Sequence, residues 1–386
     1  MAGTTFAAMP DAPARTLEEL RTPALLLDLD RLESNLELMR GRAEELGVRL
    51  RPHIKTHKCL EIARMQRTAG AAGITVSTLE EARVFARDGF TDITWAFPLN
   101  VTRMDEVSAF GDFLGVTVES DEAIDALESE RRPFAVWLEV DCGYGRTGVD
   151  PRSERALALA RRIADSDGLR LAGCLTHSGH AYHADSPGRI VEIAEQERTV
   201  MVELGGRLRD AGVDPGVLSV GSTPAMSLAR SLDGVDEARP GNYALYDYTQ
   251  TRLGACAADR PAVTVLSTVV STSPAAGRSV SDAGALALSK DTGPDSPPHY
   301  GLVYGDLEDP VPDGETRVVS VSQEHAILSG ARPVGSRVRI LPNHSCLTVA
   351  QFDHFTVMRG NRVMDRWKIW RARGPGPDAP NGARGP

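Results

Sequence analysis

The chain has 386 residues, is 41% hydrophobic and 25% charged, and carries a formal net charge of -10. That is the composition of an ordinary soluble globule, and its acidity argues against nucleic acid, where phosphate binding needs a basic face. No apolar run approaches the ~18 residues of a membrane helix, so neither nucleic acid nor membrane is expected as a partner.

Residues 1–20, rich in Ala and Pro, read as a loose arm without the basic and apolar regions of a secretory signal. Asp30 can cap a helix in which Leu32, Leu36, Met39, Ala43 and Leu46 follow three- and four-residue spacing and which Gly47 ends. A strand-like run over 48–54 follows. Further strand-like runs recur at 73–76, 92–97, 113–118, 134–140, 169–176, 217–220 and 235–239. Helix-like stretches such as TLEEARVFARDG and PRSERALALARRIADSDG separate them. Eight βα units predict an α/β chain with a closed (β/α)8 barrel over residues 21–256, with a doubly wound open sheet as the alternative. After residue 257 the pattern becomes β-branched runs broken by Gly, Pro and Asp, which predicts a β-rich C-terminal domain over 257–373. The early run Ala24–Leu29 is strand-like too and can join it. Residues 374–386, a Gly/Pro tail, cannot build a core.

Of the 43 basic residues only four are Lys, and two of these, Lys55 and Lys58, sit in the stretch RPHIKTHK. In an extended strand Arg49, Arg51, His53 and Lys55 share one face, the barrel interior. Lys55 then lies at the C-terminal strand end, where barrel enzymes place their chemistry. A lysine among cations has a lowered pKa and serves as a Schiff-base nucleophile. The bland alternative is a pair of solvated loop charges, and Lys58, which opens the next helix, fits a structural role better.

Three further segments end barrel strands. DCGYGRTG supplies a Gly-rich loop with Arg146. His177, His180 and His183 follow the sixth strand, but no Cys or carboxylate cluster adjoins them, so no metal is assigned there. In Ser219–Pro224 a strand ends, Gly221 turns, and Ser222 and Thr223 precede a proline, which suits either a phosphate or a plain helix cap. In the later domain His344 and Cys346, two apart at a strand end, would face the same side if extended. Imidazole and thiolate form a soft pair suited to zinc; by itself so short a pair fits a buried Cys beside a hydrogen-bonded His better. The five cysteines are scattered and odd in number, which fits reduced thiols and a cytoplasmic location.

Together, RPHIKTHK, DCGYGRTG, HSGHAY, VGSTP, EARPGNYALYD and PNHSC, in this order from about Thr22 to Trp370, resemble the D-threonine aldolase and D-serine dehydratase family. The resemblance implies an alanine-racemase-type barrel followed by a β domain, and dependence on pyridoxal 5'-phosphate. Lys55 would hold the cofactor covalently. Gly221, Ser222 and Thr223 would bind its phosphate with Tyr246 and Asp247 nearby, Arg146 would contact the ring's phenolic oxygen, and His177 and Tyr182 would line the ring or substrate side. His344 and Cys346 would bind a divalent metal. The family's EEHG appears here as Gln323-Glu324-His325-Ala326, and no role is assigned to it. In that family a His-x-Cys pair goes with zinc and with dehydratases acting on D-serine or 3-hydroxyaspartate, and His-x-Asp with aldolases using Mn²⁺ or Mg²⁺. The resemblance therefore implies a lyase giving a 2-keto acid and ammonia from a D-β-hydroxy amino acid, with retro-aldol cleavage to glycine and an aldehyde as the alternative. A racemase would not need the metal pair, and a non-catalytic cofactor carrier would not need the β domain. A homodimer is implied by the same resemblance.

Overall fold

A computed structural model describes residues 15–371; the Gly/Pro tail and the first part of the N-terminal arm lie outside the described residues. The chain opens with β1 (Ala24–Asp28) and α1 (Leu29–Glu45). The barrel strands and helices then alternate: β2 (Arg49–Leu50), α2 (Leu60–Thr68), β3 (Ile74–Val76), α3 (Leu79–Arg87), β4 (Ile93–Pro98), α4 (Met104–Ser108), β5 (Leu114–Val118) and α5 (Asp121–Ser129). The second half adds β6 (Phe134–Glu139), α6 (Glu154–Asp165), β7 (Leu169–Leu175), α7 (Pro187–Asp210), β8 (Val217–Val220), α8 (Thr223–Leu228), β9 (Glu237–Ala238) and α9 (Tyr248–Arg252).

All eight strands β2–β9 run parallel in the order β2-β9-β8-β7-β6-β5-β4-β3. The ends of this sheet meet. The N–H groups of Ala72 and Thr75 donate to the carbonyls of Leu50 and Pro52, at 2.7 and 2.8 Å, and His53 bridges Thr75. Helix caps follow the chemistry of short polar side chains: Thr78, Ser120, Ser153 and Ser186 each accept from an N–H of the following helix. For α1 the cap is Asp28, which accepts from the Arg31 N–H, and not Asp30. Both carboxylates suit the role, but the strand runs only to Asp28 and the helix begins on the next residue.

The barrel interior is layered as strand alternation requires. Trp137 fills it, pressed against Gly115 and Gly173 on the neighbouring strands, where a methyl group would stand 2.6 Å from the indole. Above Trp137 on the same strand stands Glu139. Arg51 is buried and bonds Glu237 at 2.8 Å, while Ser219 donates to the same Glu237 carboxylate at 2.8 Å. Arg49, expected to face inward, is exposed at the N-terminal end of its two-residue strand. Lys55 is not on a strand at all: Ile54–Thr56 forms a single 3-10 turn capped by His53. Beyond the strand, the Arg51 and His53 N–H groups still donate to the Ala238 and Pro240 carbonyls before the turn begins.

The second unit comprises β10 (Val263–Ser273), β11 (Arg278–Ser281), the short helix α10 (Ala285–Leu288), β12 (Leu302–Val303), β13 (Val318–Val321), β14 (Ala326–Ser329), β15 (Arg337–Leu341), helix α11 (Ser345–Val349), β16 (His354–Arg359) and β17 (Arg362–Lys368). Its sheet is mostly antiparallel, and β1 is part of it, antiparallel to β10 and parallel to β16. Residues 15–20, expected in the loose arm, are packed here: Leu17 is buried and the Val363 N–H donates to Arg15 O at 3.0 Å. Gln323–His325 are exposed between β13 and β14. Among the described residues no helix is long and apolar enough to cross a membrane.

Candidate active site

A cavity of about 390 Å³ opens at the C-terminal ends of the barrel strands, between the barrel and α11. Its walls include Lys55, Arg146, His177, Tyr182, Gly221, Ser222, Thr223, His344 and Cys346. These nine residues come from five separate segments, and the barrel strand ends and the α11 region of the β domain bring them together.

Lys55 is placed by its turn. His53 Nδ1 accepts from the Lys55 N–H at 3.4 Å, and Ile54 is fully buried beneath it. The Lys55 amine forms no ion pair among the described residues. Burial lowers its pKa from the ordinary lysine value; Cys346 opposes this, and Arg146 adds to it. Lys58 is different. Its ammonium pairs with Glu81 at 2.8 Å, so it ties α3 to the turn.

His177 Nδ1 donates to the Gly221 carbonyl at 2.5 Å. Burial first, then the Lys55 charge, pushes the His177 pKa down to about 3, so the ring is neutral at physiological pH. Burial raises the Tyr182 pKa above the usual phenol value, with Thr223 opposing it. Ser222 is the N-cap of α8 and accepts from the Ala225 N–H at 3.2 Å. Glu197 accepts from the Gly221 N–H at 3.1 Å. At Gly221 a Cβ would lie 2.8 Å from the Arg239 backbone nitrogen, so β8 and β9 can approach only across glycine. Gly221→Ala is expected to cost ~1–3 kcal/mol, read as a lower urea midpoint, together with weaker retention of a phosphate-bearing ligand. An unchanged midpoint would show that the Arg239 backbone yields.

Two residues that the resemblance put near the phosphate, Tyr246 and Asp247, do not line this cavity. Tyr246 sits in a left-handed turn (φ 47°) and faces a second cavity, lined also by Met39, Ser227, Cys256 and Arg260. Asp247 is fully engaged. Its Oδ1 accepts from the Gln250 N–H at 2.9 Å, and its Oδ2 accepts from Asn242 Nδ2 and the Ser345 N–H at 2.7 and 2.9 Å. It therefore braces the His344–Cys346 segment. The left-handed residue Tyr246, invisible in a strand-and-helix reading, lies at the second cavity, while Asp247 reaches the wall residue Asn242.

His344 and Cys346 are not extended. His344 is the N-cap of α11 and Cys346 lies in its first turn, which still brings the two side chains into hydrogen-bond contact. Burial alone would lower the His344 pKa, but the Cys346 thiolate and Asp291 outweigh it and hold it well above the usual range. Burial likewise opposes ionisation of Cys346, yet His344 and Thr56 bring its pKa below the usual thiol value. The Cys346 Sγ lies 3.2 Å from Thr56 Oγ1. The soft pair thus touches the residue next to Lys55.

His53, placed by alternation on the inward face, is a wall residue; sequence reasoning missed several others, among them Glu139, Arg239 and Asn242. Arg239 is buried and donates to Ser219 Oγ and to the Thr176 carbonyl. Its only signal was inward alternation on the eighth strand. Glu139 Oε2 and Asn242 Oδ1 are buried at the wall with no partner among the described residues. Buried polar atoms are rarely left unpaired, so this wall fits a polar ligand. Hydroxyls, an amine without an ion pair and a His/Cys pair on the walls of one cavity fit pyridoxal phosphate and a soft divalent metal whose shell substrate or water would complete.

The comparisons agree with this division. The profile of the alanine racemase N-terminal domain matches residues 27–249, and that of a serine dehydratase domain matches 262–358. The chain is 38% identical to the D-threo-3-hydroxyaspartate dehydratase of Delftia sp. (strain HT23), covering 92% of this chain and 98% of that one. The structure of that enzyme superposes with a TM-score of 0.88 over 94% of this chain and 100% of that one; a further structure is a cysteine-to-alanine mutant in the metal-free form. The D-serine dehydratase of Dictyostelium discoideum is 33% identical over 91% of this chain and 97% of its own. The D-threonine aldolase of Filomicrobium marinum, 30% identical, gives a TM-score of 0.82 over 93% of this chain and 99% of that one.

Proposed function

The chain belongs to the family of D-serine and D-threo-3-hydroxyaspartate dehydratases and D-threonine aldolases built on the alanine racemase barrel, and from that premise we propose that it is a pyridoxal-phosphate- and zinc-dependent lyase that converts a D-β-hydroxy amino acid, D-serine or 3-hydroxyaspartate, to a 2-keto acid and ammonia. One observation supports this above the others: the lysine amine and the His344–Cys346 pair share one cavity, joined through Thr56. Residues 21–256 form the cofactor domain in this reading, and 257–373 the domain bearing the metal pair.

Lys55 would carry the cofactor, Gly221, Ser222 and Thr223 would hold its phosphate, Arg146 and His177 would flank its ring with Tyr182 beside them, and His344 with Cys346 would hold zinc. When bound, pyridoxal phosphate supplies an electron sink for charge developing at the substrate Cα, and zinc supplies a Lewis acid for the β-hydroxyl. Lys55 Nζ, its pKa lowered by burial, takes the Cα proton. His177 stays neutral with its Nδ1–H committed to Gly221, so it orients without competing for that proton. The β domain roofs the cavity and limits water at the reacting carbon. A homodimer in the cytoplasm completes the proposal.

The alternative reading, aldol cleavage to glycine and an aldehyde with Mn²⁺ or Mg²⁺ as the metal, draws on the 30% identity to a D-threonine aldolase. Products decide between them. Purified enzyme incubated with D-serine, D-threonine and D-3-hydroxyaspartate is expected to release a 2-keto acid and ammonia in equal amounts from at least one of them. An aldehyde with glycine, and no ammonia, would overturn the dehydratase reading.

A further inference from the structure

We infer that Asp291 is the positioning residue of the His344–Cys346 pair: it fixes the His344 imidazole so that Nε2, not Nδ1, is offered to a divalent metal. The inference rests on the metal reading proposed above and adds a residue to it.

His344 Nδ1 stands 2.6 Å from Asp291 Oδ2. A carboxylate at that distance accepts a hydrogen bond from Nδ1–H, so Nδ1 keeps its hydrogen and Nε2 is the nitrogen left to give up its proton and offer a lone pair to a metal. The contact is held in place from both sides. Asp291 lies in the loop after α10, where its N–H donates to Ser289 Oγ at 3.2 Å. Its carbonyl accepts from Asn343 Nδ2 at 3.1 Å, and the same amide nitrogen donates to the His299 carbonyl at 2.6 Å. Asn343 is the residue before His344, so the two loops are stitched together beside the ring.

Asp291 stands behind the pair and not beside it. His344 and Cys346 line the cavity, whereas Asp291 does not. Among the described residues no third His, Cys, Asp or Glu converges with them as a metal-binding group. This is the arrangement in which a carboxylate raises the basicity of a ligating imidazole and fixes its tautomer, and its loss weakens metal binding without removing a ligand.

The test uses the full chain loaded with cofactor. Zinc affinity is measured by competition with a chromophoric chelator for wild type, Asp291→Asn, Asp291→Ala and Asp291→Glu, with His344→Ala as the ligand-loss reference. Cobalt(II) spectra are recorded for the same set. The two short variants are expected to bind zinc ~10–100-fold more weakly. Asp291→Glu should recover part of that loss, and the thiolate-to-cobalt band and ligand-field intensity should stay those of wild type. Asp291→Asn is nearly isosteric, so an altered fold is not expected, and melting of the metal-stripped proteins checks it. Wild-type affinity in both Asn and Ala variants overturns the proposal alone. A cobalt spectrum matching His344→Ala makes Asp291 a direct ligand and also overturns it. A wild-type chain that takes up no stoichiometric zinc overturns both this proposal and the metal reading beneath it.

Discussion

Replacing Lys55 by alanine or arginine is expected to abolish the visible absorbance of covalently held cofactor and to lower turnover by on the order of 10³-fold or more. The arginine variant is the informative one. Arginine keeps the positive charge and much of the length, but it stays protonated and cannot form a Schiff base. Neighbouring Lys58 cannot stand in, because its ammonium is bound to Glu81 at 2.8 Å in a partly buried pair. Thermal stability should change little, since the Lys55 amine makes no ion pair to lose among the described residues. An absorbance band that survives in Lys55→Ala would refute the assignment of Lys55, while a lost band with retained turnover would refute its catalytic role.

Removing the metal is the second large effect. Dialysis against a strong chelator is expected to cut keto-acid release ~100-fold or more, with recovery on adding zinc. Cys346→Ala should reproduce the loss and resist rescue, because a lone imidazole is a poor zinc site. The cofactor absorbance should persist in both cases, which separates loss of metal from loss of the lysine-bound group. Full activity in zinc-free protein would remove the metal from the mechanism and return the pair to the alternative of a buried Cys beside a hydrogen-bonded His.

Much of the architecture was present in local pattern. Each of the eight predicted barrel runs contains a parallel strand, because a strand buried on both faces reads as an apolar β-branched run. The prediction that Ala24–Leu29 could join the later domain matches β1, which pairs with β10 and β16. Errors arose where local rules admit two answers. Asp28 and Asp30 can both cap a helix, and only the end of β1 chooses between them. His344 and Cys346 meet through a helical turn and not through strand alternation, since two-residue spacing does not report the backbone between them.

The sequence by itself determined the order of βα units, the change to β-rich chain after residue 257, and the few residue types able to do the proposed chemistry, with Lys55 chief among them. These follow from side-chain volume, polarity and backbone preference over a handful of neighbours. Tertiary structure alone decided which of these residues meet. Thr56 and Cys346 touch across 290 residues of chain, and Asp291 reaches His344 from 53 residues away. Tyr246, which the family resemblance put near Gly221–Thr223, lines another cavity. The first of these contacts depends on how the β domain docks on the barrel mouth and the others on how distant loops fold back on their own unit, and short-range periodicity encodes neither.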